Sequence, residues 1–224
     1  MELRFYLLLL LAYLIGALSP SFLIGKFVHG LDLREHGSGN LGFTNAMRVL
    51  GKKAGIFVFI FDLLKGFLPV FCFPVLLSGQ TTAAAGGILN VRLFLGLAAI
   101  CGHCLPFYLN FRGGKGVLTS LGAFAAIHPL AMGIAFVCGV SLIFITGFVS
   151  VGSLSGALIF AISATALNYN QKVLLFICIA WLTAAFVFYM HRSNIRRLLN
   201  GTEPRYYDKP NPGMEAQPVD QSHT

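Results

Sequence analysis

Residues 5–28 read FYLLLLLAYLIGALSPSFLIGKFV, with Lys26 as the single charge. A hydrocarbon core of roughly 30 Å is crossed by about 20 apolar residues in a helix, so this run is long enough to span a membrane. Ala17 and Ser19 have the spacing of a signal-peptide cleavage site. The run continues past them, the residues ahead of it are not strongly basic, and Pro20 sits where cleavage would occur, so the stretch reads as an uncleaved first span. Outward from it, apolar runs recur near 54–77, 88–109, 117–127, 130–147, 151–168 and 172–190. Only His128 and Pro129 break the region 117–168, and five spans or seven would put the chain ends on the same sides. The expectation is an all-α fold, a polytopic membrane helical bundle of about seven transmembrane helices.

Composition agrees with that reading. The 224 residues are 56% hydrophobic and 11% charged, with mean hydropathy +0.77, where a soluble domain carries about 25% charge. The net charge of +8 comes from basic residues set beside apolar runs, not from a basic domain, which argues against nucleic acid as a partner. Lys26, Arg34, Arg48, Lys52 and Lys53 lie in 26–53, Arg112 and Lys115 in 110–116, and Arg192, Arg196, Arg197, Arg205 and Lys209 in the tail, twelve of the sixteen basic residues. Seven spans put these three segments on one face, which the positive-inside rule makes cytoplasmic. The N-terminus, with Glu2 and Arg4, is then expected on the periplasmic side and the C-terminus in the cytoplasm. Residues 1–207 read as a single integral membrane domain. Residues 208–224, with Pro210, Pro212, Gly213 and Pro218 and no apolar periodicity, read as a disordered cytoplasmic tail.

Five cysteines, Cys72, Cys101, Cys104, Cys138 and Cys178, fall within apolar runs. Their odd number and setting favour reduced thiols packed as small hydrophobes, the Cys101-x-x-Cys104 pair included. Gly51 with Gly55, and Gly152 with Gly156, have the spacing of close helix packing.

Polar residues gather in three clusters. The stretch 38–48 places Gly39, Gly42, Asn40, Asn45, Ser38 and Thr44 together and closes on Arg48. Glycines let consecutive amides converge into a concavity that attracts anions, more so when a helix N-terminus follows. The second cluster is Arg112, Gly113, Gly114, Lys115, Gly116, where amides and an ammonium can both meet a phosphate. It is not a Walker A loop, because Leu109 stands where that motif needs glycine and Gly116 replaces the hydroxyl residue. A positive-inside turn accounts for Arg112 and Lys115 but not for three glycines. The third cluster runs from His191 through Arg192, Asn194, Arg196 and Arg197 to Glu203; on a helix continuing from the last span, His191 and Asn194 share a face, while the arginines also suit a stop-transfer signal. Within the second span, Asp62 and Lys65 read as a structural ion pair, with support of the polar site as the alternative.

Several chemistries lack their signatures. There is no Gly-x-Ser-x-Gly elbow, no His-x4-Asp pair of the common CoA-dependent acyltransferases, and no metal-ligand spacing. Phosphate-binding chemistry at a membrane surface, with no metal, nucleotide or other cofactor, is what remains.

Taken together, Ser-Gly-Asn-x-Gly-x-Thr-Asn-x-x-Arg at 38–48, Gly-Gly-Lys-Gly at 113–116 and His-Arg-x-Asn-Ile-x-Arg-Leu at 191–198 resemble the signatures of the bacterial acyl-phosphate-dependent glycerol-3-phosphate acyltransferases, the PlsY family. The resemblance runs from the first span to Glu203. It implies a seven-helix enzyme of the cell inner membrane, its active site facing the cytoplasm, that transfers an acyl group from acyl phosphate to the sn-1 hydroxyl of glycerol 3-phosphate. Lysophosphatidic acid, the first product of phospholipid synthesis, and phosphate would result. The resemblance places Ser38, Arg48, Lys115, His191 and Asn194 in the active site. Near its end the family tends to show Gly-x-Glu-x-Lys, where this chain has Gly201, Thr202, Glu203, Pro204 and Arg205.

Both substrates are phosphates, so two anion sites are needed, and the acyl tail calls for an apolar groove. Lys115 and the amides of Gly113, Gly114 and Gly116 are expected to stabilise charge on the transferring or leaving group. Arg48 with Ser38, and Asn194, would hold the acceptor phosphate, or the two loops exchange roles. His191 or a substrate phosphate oxygen would serve as base. Ser38, Gly39, Asn40, Gly42, Asn45, Arg48, Arg112, Gly113, Gly114, Lys115, Gly116, His191 and Asn194 form the expected substrate-binding set, with Lys115, His191 and Ser38 in catalytic roles. The lipid bilayer and the enzyme that makes acyl phosphate are the expected partners. The rival reading is a transporter or binding protein for a phosphorylated solute, against which stand the absence of an internal repeat and the placement of the polar clusters at one face.

Overall fold

The computed structural model describes residues 3–168 and 173–208, and within them all regular structure is helical. The expected tail beyond Asp208 lies outside the described residues. The helices are α1 (Leu3–Ala17), α2 (Pro20–Val28), α3 (Phe43–Leu50), α4 (Lys52–Cys72), α5 (Gly79–Ala84), α6 (Ile88–Cys104), α7 (Val117–Ile127), α8 (Pro129–Thr146), α9 (Val149–Leu167), α10 (Leu174–Met190) and α11 (Arg192–Leu199). Four stretches among the described residues, Lys52–Leu76, Ile88–Leu109, Pro129–Thr146 and Val149–Leu167, are long and apolar enough to cross a membrane. The pairs α1 with α2 and α10 with α11 qualify only when each is taken together, and α7 is shorter.

The first span is bent by 46° between α1 and α2. Pro20 has no N–H to continue the helix, and Ser19 caps the new start, its Oγ accepting from the Phe22 N–H at 3.4 Å. The polar groups freed by the break are met from other helices. Tyr108 Oη donates to the Ala17 carbonyl at 3.0 Å and accepts from the Ser19 N–H at 3.1 Å. Lys65 Nζ donates to the Leu18 carbonyl at 2.7 Å. In hydrocarbon such groups must find protein partners. The expected Asp62–Lys65 ion pair is present, at 2.7 Å, and Lys65 serves this break as well.

The last span departs from the expected continuous helix. α10 and α11 meet at His191 with a bend of 59°. Arg192, Arg196 and Arg197 follow at once, and charges this dense are not carried into an apolar core, so α11 turns aside with only Asn194 fully buried.

Helices are locked in pairs by reciprocal glycines. A Cβ added at Gly16 of α1 would lie 2.1 Å from the Ala99 carbonyl oxygen of α6, and one at Gly102 of α6 would lie 2.1 Å from the Tyr13 carbonyl oxygen of α1. Gly66 of α4 and Gly122 of α7 repeat the arrangement against Thr119 and Leu63, at 2.1 and 2.0 Å, and Gly139 with Gly152 does so between α8 and α9. Helices in a bilayer associate through such close backbone contact because lipid offers no hydrophobic reward for burial. Gly152 and Gly55, where an added Cβ would lie 2.6 Å from Met47 Cβ, fit the expected packing role. Gly51 does not: it has open space around it and a φ of +88°, and its work is the sharp turn between α3 and α4. Gly66→Leu is expected to cost about 3 kcal/mol or more, read as a lower unfolding temperature in detergent; an unchanged midpoint would contradict the packing account.

Candidate functional site

The stretch 33–42 is held in shape chiefly by one side chain. Asn45, on the first turn of α3, accepts from the Ser38 N–H through Oδ1 at 2.9 Å and donates through Nδ2 to the carbonyls of Leu33 and His36 at 3.3 and 3.0 Å. Gly39 turns at φ +68°, its N–H donating to the His36 carbonyl, and Asn40 Oδ1 accepts from the Gly42 N–H at 2.9 Å. Gly42 then caps α3 without a side chain. Among the described residues the first amides of α3 have no acceptor, and they and the helix dipole therefore face this space ready for an anion. One turn on, Arg48 reaches the same space and has no carboxylate partner among the described residues.

Opposite this loop stands a relay from the third cluster. Arg197 Nε donates to Glu203 Oε2 at 2.7 Å, Asn194 Nδ2 donates to Glu203 Oε1 at 2.6 Å, and Lys115 Nζ donates to Asn194 Oδ1. Glu203 reaches this position because Gly201, at φ +67°, folds the chain back so that the amides of Thr202 and Glu203 donate to the Arg197 carbonyl. Burial pulls the Lys115 ammonium down to about 8, with Glu203 opposing the shift and Arg197 adding to it. Burial acts against the Glu203 carboxylate, yet hydrogen bonds led by Asn194 hold it below its usual range. His191 is buried at the bend, and Val187 lies one turn back. A carbonyl only accepts, so Nδ1 carries the proton in the 2.8 Å contact to the Val187 oxygen and Nε2 is left as an acceptor. Burial first, and the nearby Lys115 charge second, lower His191 to about 4, so it is neutral at ordinary pH.

Two cavities meet at this relay. The larger, about 240 Å³, is bordered by Ser38, Thr44, Arg48, Lys115, His191 and Glu203 at one end and continues between apolar residues including Phe124, Met132, Phe136 and Phe160. Along α9 its lining runs from Val149 to Phe160, about 16 Å at the helical rise. The smaller, about 230 Å³, is polar and is lined by Gly39, Arg192 and Ser193 among others. Ser38, Asn40, Lys115, Asn194 and Arg197 belong to both.

Of the residues expected to bind substrate, Ser38, Asn40, Gly42, Asn45, Arg48, Lys115, Gly116, His191 and Asn194 border the larger cavity, and Gly39 only the smaller. Asn45, however, spends all three hydrogen bonds on its own loop. Arg112 is exposed and lines neither cavity. Gly113 and Gly114 also line neither, and their amides donate to the carbonyls of Cys104 and His103 at 3.0 and 3.1 Å. They are not free to cradle a phosphate. The reason for glycine is close packing, since a Cβ at Gly113 would lie 2.0 Å from the His103 carbonyl oxygen. Arg205 stays outside both cavities, its guanidinium over the Phe148 ring at 5.4 Å. Among residues outside the expected set, Thr44, Ser150, Arg197 and Glu203 border the larger cavity. The signal for Glu203 is its rarity, one of eight acidic residues, set just after three arginines.

Residues 6–201 match the family described as glycerol-3-phosphate acyltransferase. A glycerol-3-phosphate acyltransferase of Bacillus cytotoxicus is 42% identical over 201 residues, covering 89% of this chain and 94% of the relative. The crystal structure of PlsY (YgiH), an integral membrane glycerol 3-phosphate acyltransferase, in its glycerol 3-phosphate form superposes with a TM-score of 0.77 at 34% identity, covering 90% of this chain and 94% of that one. Its lysophosphatidic acid form gives a TM-score of 0.73 at 32% identity over the same shares.

Proposed function

Because the chain belongs to the glycerol-3-phosphate acyltransferase family of integral membrane proteins, we propose that it transfers a fatty acyl group from acyl phosphate to the sn-1 hydroxyl of glycerol 3-phosphate, releasing lysophosphatidic acid and phosphate. The enzyme would act at the cytoplasmic face of the inner membrane, its N-terminus outside and residues 1–207 forming one catalytic domain. The observation that carries this reading is the junction of an amphipathic slot and a polar basin at Lys115, Ser38 and Asn194. An acyl chain suits the slot and a water-soluble phosphate ester suits the basin. That solved relatives are described in a glycerol 3-phosphate form and a lysophosphatidic acid form supports these two ligands as acceptor and product.

In the proposed reaction the acceptor hydroxyl attacks the acyl carbonyl, the new C–O ester bond forms, and the bond between the carbonyl carbon and the phosphate oxygen breaks with its electron pair leaving on phosphate. Lys115 and Arg48 bring positive charge to the phosphates, and the N-terminus of α3 adds its dipole. His191 Nε2 accepts the hydrogen bond of the attacking hydroxyl and aims it. With its basicity lowered, the imidazole is a poorer proton sink than a phosphate oxygen, whose second pKa is about 6, so the proton ends on phosphate. His191→Ala is expected to lower kcat/KM about a hundredfold; a variant within threefold of the parent would remove His191 from the reaction.

The pH profile follows from Lys115. Its charge is present below about 8 and lost above, so kcat/KM, which reports the free enzyme, is expected to fall on the alkaline side of 8. Glu203→Gln removes the carboxylate that raises Lys115 and moves this limb to lower pH. Arg197→Gln removes the cation that lowers it and moves the limb to higher pH. Shifts in one common direction would contradict the assignment.

The donor is tested by supplying acyl phosphate, acyl-CoA and acylated carrier protein separately to purified protein with glycerol 3-phosphate. Product is expected from acyl phosphate alone. Product from a thioester at an equal or higher rate would overturn the donor assignment.

A further inference from the structure

The proposed reaction makes no use of the most deeply buried charges in the bundle. Asp62 and Lys65, one turn apart on α4, and His103, near the end of α6, are 1%, 3% and 7% exposed. Lys65 Nζ stands 2.7 Å from Asp62 Oδ1, and the same oxygen is 3.5 Å from His103 Nδ1. Lys65 also ties the trio to the break in the first span. Asp62 and His103 border the larger cavity together with Lys115.

On its other side His103 meets the loop that carries Lys115. Its carbonyl accepts from the Gly114 N–H at 3.1 Å, and the adjoining Cys104 carbonyl accepts from Gly113 at 3.0 Å. A Cβ built on Gly114 would lie 2.0 Å from Nε2 and 2.7 Å from Cε1 of the His103 ring. The Gly114 backbone therefore rests directly on the imidazole.

Buried ion pairs of this kind seldom add stability over apolar residues of the same volume. What they add is position: the Asp62 carboxylate holds the Lys65 ammonium at 2.7 Å and the His103 ring at 3.5 Å by charge contact, while Asp62 Oδ1 and His103 Nδ1 make no hydrogen bond among the described residues. We propose that His103, oriented by Asp62, is a positioning residue for Lys115: its ring and carbonyl form the seat on which Gly113 and Gly114 rest, and the height of that seat sets where the Lys115 ammonium stands between the two cavities. This assignment accounts for glycine at 113 and 114 without any contact to substrate. It rests on the reading of Lys115 as the phosphate-binding cation.

The test is a double-mutant cycle on full-length protein in detergent, with kcat expressed per folded molecule as judged by size exclusion and thermal unfolding. Active parent protein first secures the proposed reaction; an inactive parent would defeat that reading and this one with it, whereas with an active parent the variants test this proposal alone. His103→Ala is expected to lower kcat at least tenfold, and Gly114→Ala about a hundredfold, since a displacement of about 1 Å at a reacting group costs that much. In the double variant the space left by the ring accepts the new methyl, and kcat is expected to exceed that of Gly114→Ala at least tenfold. His103→Ala within twofold of the parent, or a double variant whose loss is the product of the two single losses, overturns the proposal. Should Gly114→Ala fail to fold, the His103→Ala threshold decides alone, and should His103→Ala fail to fold, His103→Gln is held to the same threshold.

Discussion

Lys115→Ala is expected to lower kcat/KM about a thousandfold with the protein still folded. A transition-state donor in a water-poor site contributes about 10²–10³-fold, and Lys115 is placed to act on both cavities, so the upper end of that range applies. Its ammonium is half-buried and meets the Asn194 oxygen, with no carboxylate in direct contact among the described residues. Burial already disfavours its charge, which is why it titrates near 8. Truncation thus removes a strained cation and is expected to leave the unfolding temperature unchanged or raised. Lys115→Arg is not expected to restore activity, because a planar five-donor fork does not reproduce a compact ammonium. Steady-state kinetics beside thermal unfolding checks both parts. A variant within tenfold of the parent would remove Lys115 from the reaction.

Glu203→Ala is expected to cost about a hundredfold in kcat. The carboxylate fixes two groups at once, holding Asn194 at 2.6 Å and Arg197 at 2.7 Å. Without it the Asn194 amide can rotate, and the oxygen presented to Lys115 is no longer specified. Asn194→Ala is expected to show a similar loss. Because both act through the same relay, the double variant is expected to be no worse than either single variant by more than about threefold. Losses that multiply would mean that Glu203 and Asn194 act independently.

The apolar segments are legible in the sequence because a spanning helix is marked by length and composition alone, and neither depends on what packs against it. Ser38, Arg48, Lys115, His191 and Asn194 stand out through the three motifs that carry the family resemblance, in a chain with 11% charged residues, and the structure brings all five to the border of one cavity. The work of Gly113 and Gly114 is not legible. A glycine beside a lysine reads the same whether its amide meets a phosphate or a carbonyl of α6, and only the fold shows that His103 and Cys104 have taken both amides. Asn45 misleads in the same way, reading as a ligand contact where it is the brace of its loop. The reciprocal glycine pairs also escape detection, because Gly16 and Gly102, or Gly66 and Gly122, come from different helices and have no spacing to find. The bend at His191 is signalled by the arginines after it, yet stop-transfer charge and a turning helix share that pattern.

If the acyl group passes straight from one cavity to the other beside Lys115, phosphate cannot leave before the acceptor arrives. Purified protein would be mixed with acyl phosphate, with and without glycerol 3-phosphate, and inorganic phosphate followed alongside lysophosphatidic acid and the mass of the intact protein. Direct transfer predicts phosphate release only when the acceptor is present, one phosphate for each lysophosphatidic acid, and no acylated protein. A stoichiometric burst of phosphate without acceptor, accompanied by an acyl group on the chain, would contradict it.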